Sequence, residues 1–215
     1  MFILNKNNSI ANHFLSEIRD ITIHKDRLRF RRNLERLGEI LAYEISKSLA
    51  YQETEIETPL QKTELNTLTD FPVLISVLRA AIPFYQGFSN FFDHSDSGFI
   101  GAFRVEESDL DEVNILLNYQ ATPDLSGKEV ILIDPMLATG KSFVKSVENL
   151  VKNGTPKHIH IASVIAAPEG IAYIKNKLNL PFSIWTCALD EKLNSKSFIM
   201  PGLGDAGDLA FGAKL

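Results

Sequence analysis

The sequence predicts an α/β fold with a mostly parallel, twisted sheet and helices on both of its faces. Short apolar runs alternate with helical patterns from about residue 72 to residue 188, and such alternation is typical of a parallel sheet. The runs are apolar throughout rather than at every second position, which indicates strands buried on both faces. We expect one domain with an N-terminal helical arm (1–50), an α/β core (72–188) and a C-terminal loop that forms a hood over the core (189–215).

The composition excludes several classes of protein. The chain has 215 residues, 45% of them hydrophobic, and this suffices for one large core. A net charge of −5 speaks against a nucleic-acid surface. No apolar run approaches the ~18 residues of a membrane span, and the first residues lack the pattern of a secretory signal. The only cysteine, Cys187, allows no internal disulfide, so we expect a cytoplasmic protein in which Cys187 is a buried, unreactive side chain.

The N-terminal arm shows two helical patterns. Residues 1–24 place apolar side chains on one helical face, and residues 25–50 repeat leucine and isoleucine at three- and four-residue spacing. A basic cluster at 25–32 fits a solvated helix face or a subunit contact better than a nucleic-acid surface, given the acidic whole. Residues 51–70 alternate weakly, and we expect an edge strand there.

The core pattern predicts six strands and three helices. Two of its regions leave alternatives open. The acidic stretch 105–112 fits a mobile flap or a solvated hairpin, and His158 and His160 share one strand face, where they could bind a metal but more simply face solvent. The predicted strands are 73–78, 98–104, 113–119, 130–133, 158–165 and 182–188, and the predicted helices start near 83 and span 142–153 and 169–178.

The stretch 129–142 carries the strongest functional signal. An apolar strand ends at Asp134, a loop of small residues follows, and a helix begins near Ser142. Unpaired backbone N–H groups and the helix dipole make such a helix start an anion site. The Asp134 carboxylate needs a different partner, and ribose hydroxyls or a metal ion are the natural candidates. The stretch therefore predicts a site for a sugar phosphate.

Two other interpretations of this stretch stay open. Gly140, Lys141 and Ser142 end like the phosphate loop of nucleoside triphosphatases, but that motif needs a glycine five residues before Gly140, where this chain has Pro135. An ordinary strand-to-helix turn would also need small residues. Two predicted strands end in arginines, Arg79 and Arg104, which could bind a pyrophosphate with bidentate geometry. The glycine-rich tail at 198–212 predicts an irregular but packed loop.

Several blocks resemble one family, the uracil phosphoribosyltransferases, and they occur in that family's order. The phosphoribosyl loop is similar at 134–142, and an arginine loop is similar at 78–81. The strand at 100–104 and the block at 166–170 also match, and the tail block at 199–208 is near-identical and specific. The resemblance implies the type I phosphoribosyltransferase fold. The chain departs from the family at three positions. Ala81 and Lys141 stand where the family has glycine, and Gln86 stands where the family often has aspartate.

The resemblance implies a reaction in which uracil and 5-phosphoribosyl 1-diphosphate give UMP and diphosphate, a step of pyrimidine salvage. It implies Mg²⁺ carried by the diphosphate substrate, with no protein ligand assigned to the metal. The resemblance further implies a homodimer or higher homo-oligomer, with GTP as a possible effector. We expect no nucleic-acid partner and no membrane partner. The alternative is a weakly active or regulatory protein that senses phosphoribosyl diphosphate or a nucleotide on the same fold.

The implied site residues fall into three groups. Arg79 and Asp134 are the implied catalytic residues. Phosphoribosyl diphosphate would bind to Arg79, Arg104, Asp134, Pro135, Met136, Leu137, Ala138, Thr139, Gly140, Lys141, Ser142 and Asp205. Uracil would bind to the backbone of Ile199, Gly204, Asp205 and Ala206.

Overall fold

A computed structural model of the protein describes residues 1–105 and 114–213, and its elements follow the predicted alternation. The helices are α1 (Ala11–Arg19), α2 (Arg27–Ser46), α3 (Ile82–Phe91), α4 (Lys141–Leu150), α5 (Pro168–Lys177) and α6 (Ala206–Phe211). The strands are β1 (Phe2–Ile3), β2 (Tyr51–Glu57), β3 (Lys62–Leu68), β4 (Val73–Leu78), β5 (Ser97–Val105), β6 (Asn114–Ala121), β7 (Glu129–Ile133), β8 (Met136–Leu137), β9 (His158–Ala166), β10 (Phe182–Leu189), β11 (Lys192–Leu193) and β12 (Ile199–Met200).

The central sheet has the order β1-β10-β9-β7-β4-β5-β6, and β8 pairs with β9 beside this path. Its strand pairs are parallel except for β5 and β6, which are antiparallel. The predicted class of fold, a mostly parallel sheet with helices, is confirmed. The central strands β4 and β7 are apolar throughout because both of their faces are covered.

Helices cover the sheet on both faces, as predicted, and each face has its own apolar cluster. The first cluster joins the sheet to α1, α2, α3 and α6, and it contains Phe30, Phe84 and Phe88. The second joins the sheet to α4 and α5, and it contains Phe143 and Ile174. Since α3 follows β4 and α4 follows β7, the chain leaves these two neighbouring strands toward opposite faces of the sheet.

The N-terminal arm differs from the prediction at its start. Residues Phe2 and Ile3 are a strand that lies parallel to β10 at the edge of the sheet, so the arm is not wholly helical. A two-residue strand is too short to leave a pattern in the sequence. On α2, Leu28 is 66% exposed although it fits the apolar spacing, whereas Leu34 and Leu37 are fully buried as expected.

The predicted edge strand at 51–70 is wrong in its placement. Strands β2 and β3 pair only with each other, in a two-stranded hairpin separate from the central sheet. Most hairpin side chains are exposed, including Leu60 at 95% and Leu65 at 57%. The weak alternation in the sequence reflects a hairpin without a buried face of its own.

The glycine-rich tail is more regular than predicted. It contains the short strand β12 and the helix α6, which starts after Asp205 because the Asp205 carboxylate accepts a hydrogen bond from the backbone N–H of Asp208 at 3.0 Å. The prediction that the tail packs holds for Ile199 and Leu203, which are both 4% exposed.

Two further predictions concern single regions. The predicted flap or hairpin at 105–112 lies outside the described residues from residue 106 onward. In the described part of the chain, no helix is long and apolar enough to cross a membrane.

Candidate active site

The candidate site lies at the carboxyl ends of β4 and β7, where the chain diverges to opposite faces. The two strands are parallel neighbours with Ser76 opposite Ile133, so Arg79 and Asp134 both emerge at the same edge of the sheet. Open α/β sheets bind their ligands in the crevice outside such a divergence. The fold therefore places the two implied catalytic residues on either side of this crevice.

Arg79 contacts the C-terminal segment. Its Nη2 donates to Asp208 Oδ1 at 3.1 Å and to the carbonyl oxygen of Gly212 at 2.8 Å. The Nε atom is buried and has no hydrogen-bond partner among the described residues. A buried N–H group without a partner is costly, so this donor is available for an anionic ligand.

Two departures from the family pattern, Ala81 and Gln86, follow Arg79 in the sequence, and the structure explains the first of them. Ala81 is fully buried and has φ −72°, as the residue that precedes α3. Because this φ is negative, an alanine fits there without backbone strain. Gln86 is exposed on α3 and lines a surface cleft of about 260 Å³ that Arg31 and Phe211 also line.

The loop after β7 is held by backbone hydrogen bonds to β9. The Asp134 N–H donates to the carbonyl of Ala162 at 3.1 Å, and the Pro135 carbonyl accepts from Ile165 at 3.1 Å. The Asp134 carboxylate in turn accepts from the backbone N–H of Met136 at 3.1 Å. These contacts fix the backbone of the loop, so its shape does not depend on a ligand.

The end of the same loop packs tightly against α5. Gly140 has φ +75°, and a Cβ placed there would lie 2.6 Å from the carbonyl oxygen of Gly170. A Cβ on Gly170 would in turn overlap the carbonyl oxygen of Ala138. Both positions therefore require glycine, and the first residue of α4, Lys141, is held close to α5.

The predicted phosphate-binding residues divide into two groups by burial. Leu137 and Ala138 are buried at 0% and 7% exposure, so their side chains belong to the core. Thr139, Lys141 and Ser142 are only half-buried. Asp134 and Met136 are half-buried too, so the accessible side chains of the loop are those of these five residues.

The predicted uracil-binding residues lie along one segment between β12 and α6. Ile199 is buried and pairs with Leu193 of β11. Gly204 has φ +98° and is exposed, as is Asp205, while Ala206 is buried at the start of α6. The structure brings this segment to Arg79 through the contacts of Asp208 and Gly212.

One predicted residue, Arg104, is only partly described. Its backbone lies in β5 opposite Ile115 of β6, and its side chain lies outside the described part of the structure. Its proposed contact with the diphosphate stays a prediction.

An ion pair beside the uracil segment was not predicted from the sequence. Arg19 Nη1 and Nη2 donate to the two carboxylate oxygens of Asp190 at 2.9 and 2.7 Å, and both side chains contact Gly202. Asp190 directly follows β10 at the carboxyl edge of the sheet, which was a usable signal. Arg19 lies on the distant helix α1, and the sequence carries no signal for it.

A second polar cluster lies toward the opposite, amino-terminal edge of the sheet. His160 is 3% exposed and therefore does not face solvent, contrary to the prediction. Its Nδ1 accepts a hydrogen bond from Trp185 Nε1 at 3.1 Å, and its Nε2 lies 3.3 Å from a carboxylate oxygen of Glu129. Burial and the neighbouring His158 lower the pKa of His160 to about 4, so it is neutral at pH 7.

This cluster is not a metal site. Among residues 1–105 and 114–213, no group of three or more His, Cys, Asp or Glu side chains could hold a metal ion. The ring centroids of His158 and His160 lie 4.8 Å apart, and His158 is paired with the Ser183 hydroxyl at 3.0 Å. The cluster is a closed hydrogen-bond network.

Comparison with known proteins gives one family. The family model described as "Uracil phosphoribosyltransferase" matches residues 5–213. The uracil phosphoribosyltransferase of Porphyromonas gingivalis is 46% identical over 212 residues, which are 99% of this chain and 98% of that protein. The uracil phosphoribosyltransferase of Pyrococcus furiosus is 40% identical over 201 residues, or 92% of this chain and 84% of that one.

A solved structure is similar over its full length. The AQ2163 protein from Aquifex aeolicus has a TM-score of 0.87 at 30% identity, with 100% of both chains covered. These matches include the N-terminal arm, so the similarity extends well before the first of the matching sequence motifs.

Proposed function

Because the chain belongs to the uracil phosphoribosyltransferase family, we propose that its site transfers the phosphoribosyl group of 5-phosphoribosyl 1-diphosphate to uracil. The products are UMP and diphosphate, and the protein is a pentosyltransferase. The observation that carries the proposal is the contact of Arg79 with Asp208 and Gly212, which are more than 120 residues away in the chain. This contact joins the arginine loop to the tail segment in one site.

In this proposal Arg79 and Arg104 bind the diphosphate. The unpaired Nε of Arg79 supplies one donor. The Nη2 atom supplies another once the diphosphate replaces Asp208, whose ion pair with Arg79 is more than a third exposed on both sides. An exposed pair of this kind is weak, so its exchange for the more highly charged diphosphate costs little.

The loop after β7 binds the ribose 5-phosphate. In this proposal Asp134 accepts hydrogen bonds from the ribose hydroxyls. The bond from its backbone N–H to Ala162 supports this role because it fixes the start of the loop. The phosphate lies over residues 135–142, where the N-terminus of α4 offers backbone N–H groups and a favourable dipole. The hydroxyls of Thr139 and Ser142 and the ammonium group of Lys141 add side-chain donors.

Uracil is recognised by the backbone of Ile199 and of residues 204–206. Backbone donors and acceptors suit a small planar base whose polar groups lie on its edges. Gly204, with φ +98°, lets the chain approach closely. A base without matching groups would leave buried polar atoms unpaired, which gives strong discrimination. We also assign Asp205 a contact with the phosphoribosyl group.

The reaction needs no covalent nucleophile from the protein. The bond between the ribose C1 and the diphosphate oxygen breaks, and its electron pair leaves with the diphosphate. A bond forms between that carbon and uracil N1, and the N1 proton passes to the departing diphosphate or to water. Arginines stabilise the negative charge that builds up on the diphosphate, and the loops align the two substrates. Cys187 is fully buried and burial raises the pKa of its thiol, so it takes no part.

We propose that Mg²⁺ enters with the diphosphate. No cage of three or more acidic, cysteine or histidine side chains exists in the described part of the chain, which suits an ion held mainly by substrate oxygens and water. No protein ligand is assigned to the ion, although Asp134 would be the carboxylate to contact it if one of the site residues does. When bound, the ion neutralises charge on the leaving diphosphate.

The proposal is tested by incubating the protein with isotope-labelled uracil, phosphoribosyl diphosphate and Mg²⁺. We expect labelled UMP, and no product when orotate, hypoxanthine or cytosine replaces uracil. Product from another base would mean that the tail segment recognises that base instead. Binding of phosphoribosyl diphosphate without product from any base would overturn the proposed reaction and favour the regulatory alternative, for which no observation speaks at present.

Three finer expectations belong to the same proposal. The exposed β2–β3 hairpin, with Leu60 at its turn, supports a homodimer, which light scattering of the protein and of Leu60→Ser would test. A single, buried cysteine suits a reducing compartment, and so we propose a cytoplasmic enzyme of pyrimidine salvage. GTP as an activator rests on the resemblance alone, and assays of UMP formation with and without GTP test it.

A further inference from the structure

An ion pair between the two ends of the chain contacts both polar groups of one residue in the tail. Arg19 at the end of α1 forms a bidentate pair with Asp190, which follows β10. Asp190 Oδ2 accepts from the N–H of Gly202 at 2.9 Å, and Arg19 Nη1 donates to the carbonyl of Gly202 at 3.1 Å. We propose that this pair, here called the Gly202 clamp, positions the uracil-binding segment and so sets the affinity for uracil.

The clamp is well placed to transmit rigidity. The Asp190 side chain is 5% exposed and that of Arg19 is 24% exposed. The backbone N–H of Asp190 donates to Ala166 at the end of β9 at 2.9 Å, so the carboxylate is anchored to the sheet itself. The bidentate geometry fixes the direction of both side chains, and loss of either partner would leave the other as an uncompensated, largely buried charge.

Gly202 is the middle of the proposed base site. It lies between Ile199 and Gly204, the residues whose backbone is assigned to uracil, and it has φ +64°. A Cβ there would overlap the carbonyl oxygen of Ile199. With its N–H and its carbonyl both held, the Gly202 backbone cannot rotate, and the flanking backbone groups keep fixed directions.

Neither clamp residue is assigned a contact with uracil or with phosphoribosyl diphosphate, so both are positioning residues. The inference rests on the proposed function, since it assigns the tail segment to uracil. It adds that helix α1, at the start of the chain, determines base affinity from outside the site.

A second ion pair that also involves helix α1 offers a matched control. Arg29 of α2 forms a bidentate pair with Glu17 of α1, through Nε at 2.8 Å and through Nη2. Like the clamp, this pair ties α1 to the body of the protein, and Glu17 is 5% exposed. Neither residue has a hydrogen bond to residues 199–206 in the described structure. Its loss therefore reports a structural effect alone.

The experiment compares Arg19→Lys, Asp190→Asn and Arg19→Ala with Arg29→Ala, by steady-state kinetics and by hydrogen exchange of the peptide that contains Gly202. We expect Arg19→Ala and Asp190→Asn to raise KM for uracil about ten- to hundred-fold, with KM for phosphoribosyl diphosphate nearly unchanged. Arg19→Lys keeps a cation and should recover part of the loss. Faster amide hydrogen exchange at Gly202 should accompany the rise in KM for uracil. Arg29→Ala should alter neither this exchange rate nor this KM.

Three outcomes of the comparison between variants would overturn the inference, in addition to the exchange result given below. They are an unchanged KM for uracil in the Arg19 and Asp190 variants, an equal rise of both KM values, and the same changes in Arg29→Ala. If Arg19→Ala does not fold, Arg19→Lys and Asp190→Asn decide the question. Failure of the wild-type protein to form UMP would instead refute the proposed function, and unchanged exchange at Gly202 would refute the clamp independently of catalysis.

Discussion

The two ends of the sheet carry polar clusters of opposite character. At the carboxyl edge, Arg79 has an unpaired Nε and a weak, half-exposed partner in Asp208. Toward the amino edge, both ring nitrogens of His160 have partners and the side chain is almost fully buried. Of these two side chains, only Arg79 has a buried donor without a partner among the described residues. Between these two clusters, the difference lies in unused hydrogen-bonding capacity and exposure rather than in the presence of titratable groups, and this difference favours the first cluster as the binding site.

The largest expected effect comes from Arg79→Ala at the carboxyl edge. We expect kcat/KM to fall about 10²- to 10³-fold, because the diphosphate loses charge-assisted hydrogen bonds in the transition state. The melting temperature should fall only modestly, because the Asp208 pair is exposed and the remaining loss is one hydrogen bond to the Gly212 carbonyl. Steady-state kinetics and thermal unfolding measure the two quantities, with Lys145→Ala on α4 as the control for loss of one positive charge. Wild-type kcat/KM in Arg79→Ala would remove this residue from the site.

For His160 we expect the opposite result: replacing this residue should change the stability of the folded protein and leave its activity unchanged. Since the pKa of His160 is about 4 in the folded protein and near 6.5 when unfolded, the unfolded chain binds a proton in this interval that the folded protein does not. Stability is therefore complete above pH 6.5 and falls, by up to about 3 kcal/mol, as the pH drops to 4.

Urea unfolding from pH 4 to 7.5 tests this prediction in the wild type and in His160→Gln. The glutamine amide can still contact Glu129 and Trp185 but does not titrate, so its stability curve should be flatter over this interval. His94→Gln is the control, because the His94 side chain is 76% exposed. Parallel curves for His160→Gln and the wild type would contradict the assignment.

A backbone test at the carboxyl edge uses two glycines with similar torsion angles. Gly140 (φ +75°) lies against Gly170, whereas a Cβ added to Gly127 (φ +67°) would have nothing within 4 Å. We expect Gly127→Ala to cost about 1 kcal/mol from backbone strain alone, and Gly140→Ala at least about 2 kcal/mol with a raised KM for phosphoribosyl diphosphate. Equal losses in stability would show that the contact with α5 does not shape the loop.

The smallest expected effect concerns Lys141, where the family has glycine. We expect Lys141→Met to raise KM for phosphoribosyl diphosphate a few-fold, because an ammonium group at the start of α4 then no longer attracts the phosphate. The melting temperature should stay the same, since methionine keeps the helix-forming side chain. A lower KM would mean instead that Lys141 competes with the substrate for the loop.

The parts of the fold that were predictable have a strong local pattern. Strand β4 coincides with the predicted 73–78 because nearly all of its residues are apolar and Pro72 precedes it. Strand β1 was missed because two residues have no periodicity, and α6 because Gly207 made the tail appear irregular while the capping role of Asp205 was overlooked. The burial and hydrogen bonding of His160 depend on Trp185 and Glu129, which lie on other strands.

In the candidate site, too, features with a local sequence pattern were predictable and contacts between distant residues were not. Asp134 and its loop were identified from a continuous stretch of sequence, and the link between Arg79 and the tail came from the family resemblance. No local sequence pattern predicts that Arg79 contacts Asp208 or that Arg19 contacts Asp190. Such pairings arise from the order of the strands and helices in space, and the pattern of a single sequence does not contain that order.

The ion pair between Arg19 and Asp190 has a consequence for the way the protein is made. Its two residues are 171 positions apart, and a ribosome that adds about 5–20 residues per second needs roughly 10–30 s to synthesise that interval. Helix α1 is therefore present long before its partner exists, while the phosphate loop at 134–142 can form earlier. The proposed uracil-binding segment at 199–206 can therefore be held in place only after Asp190 and Gly202 have both been synthesised.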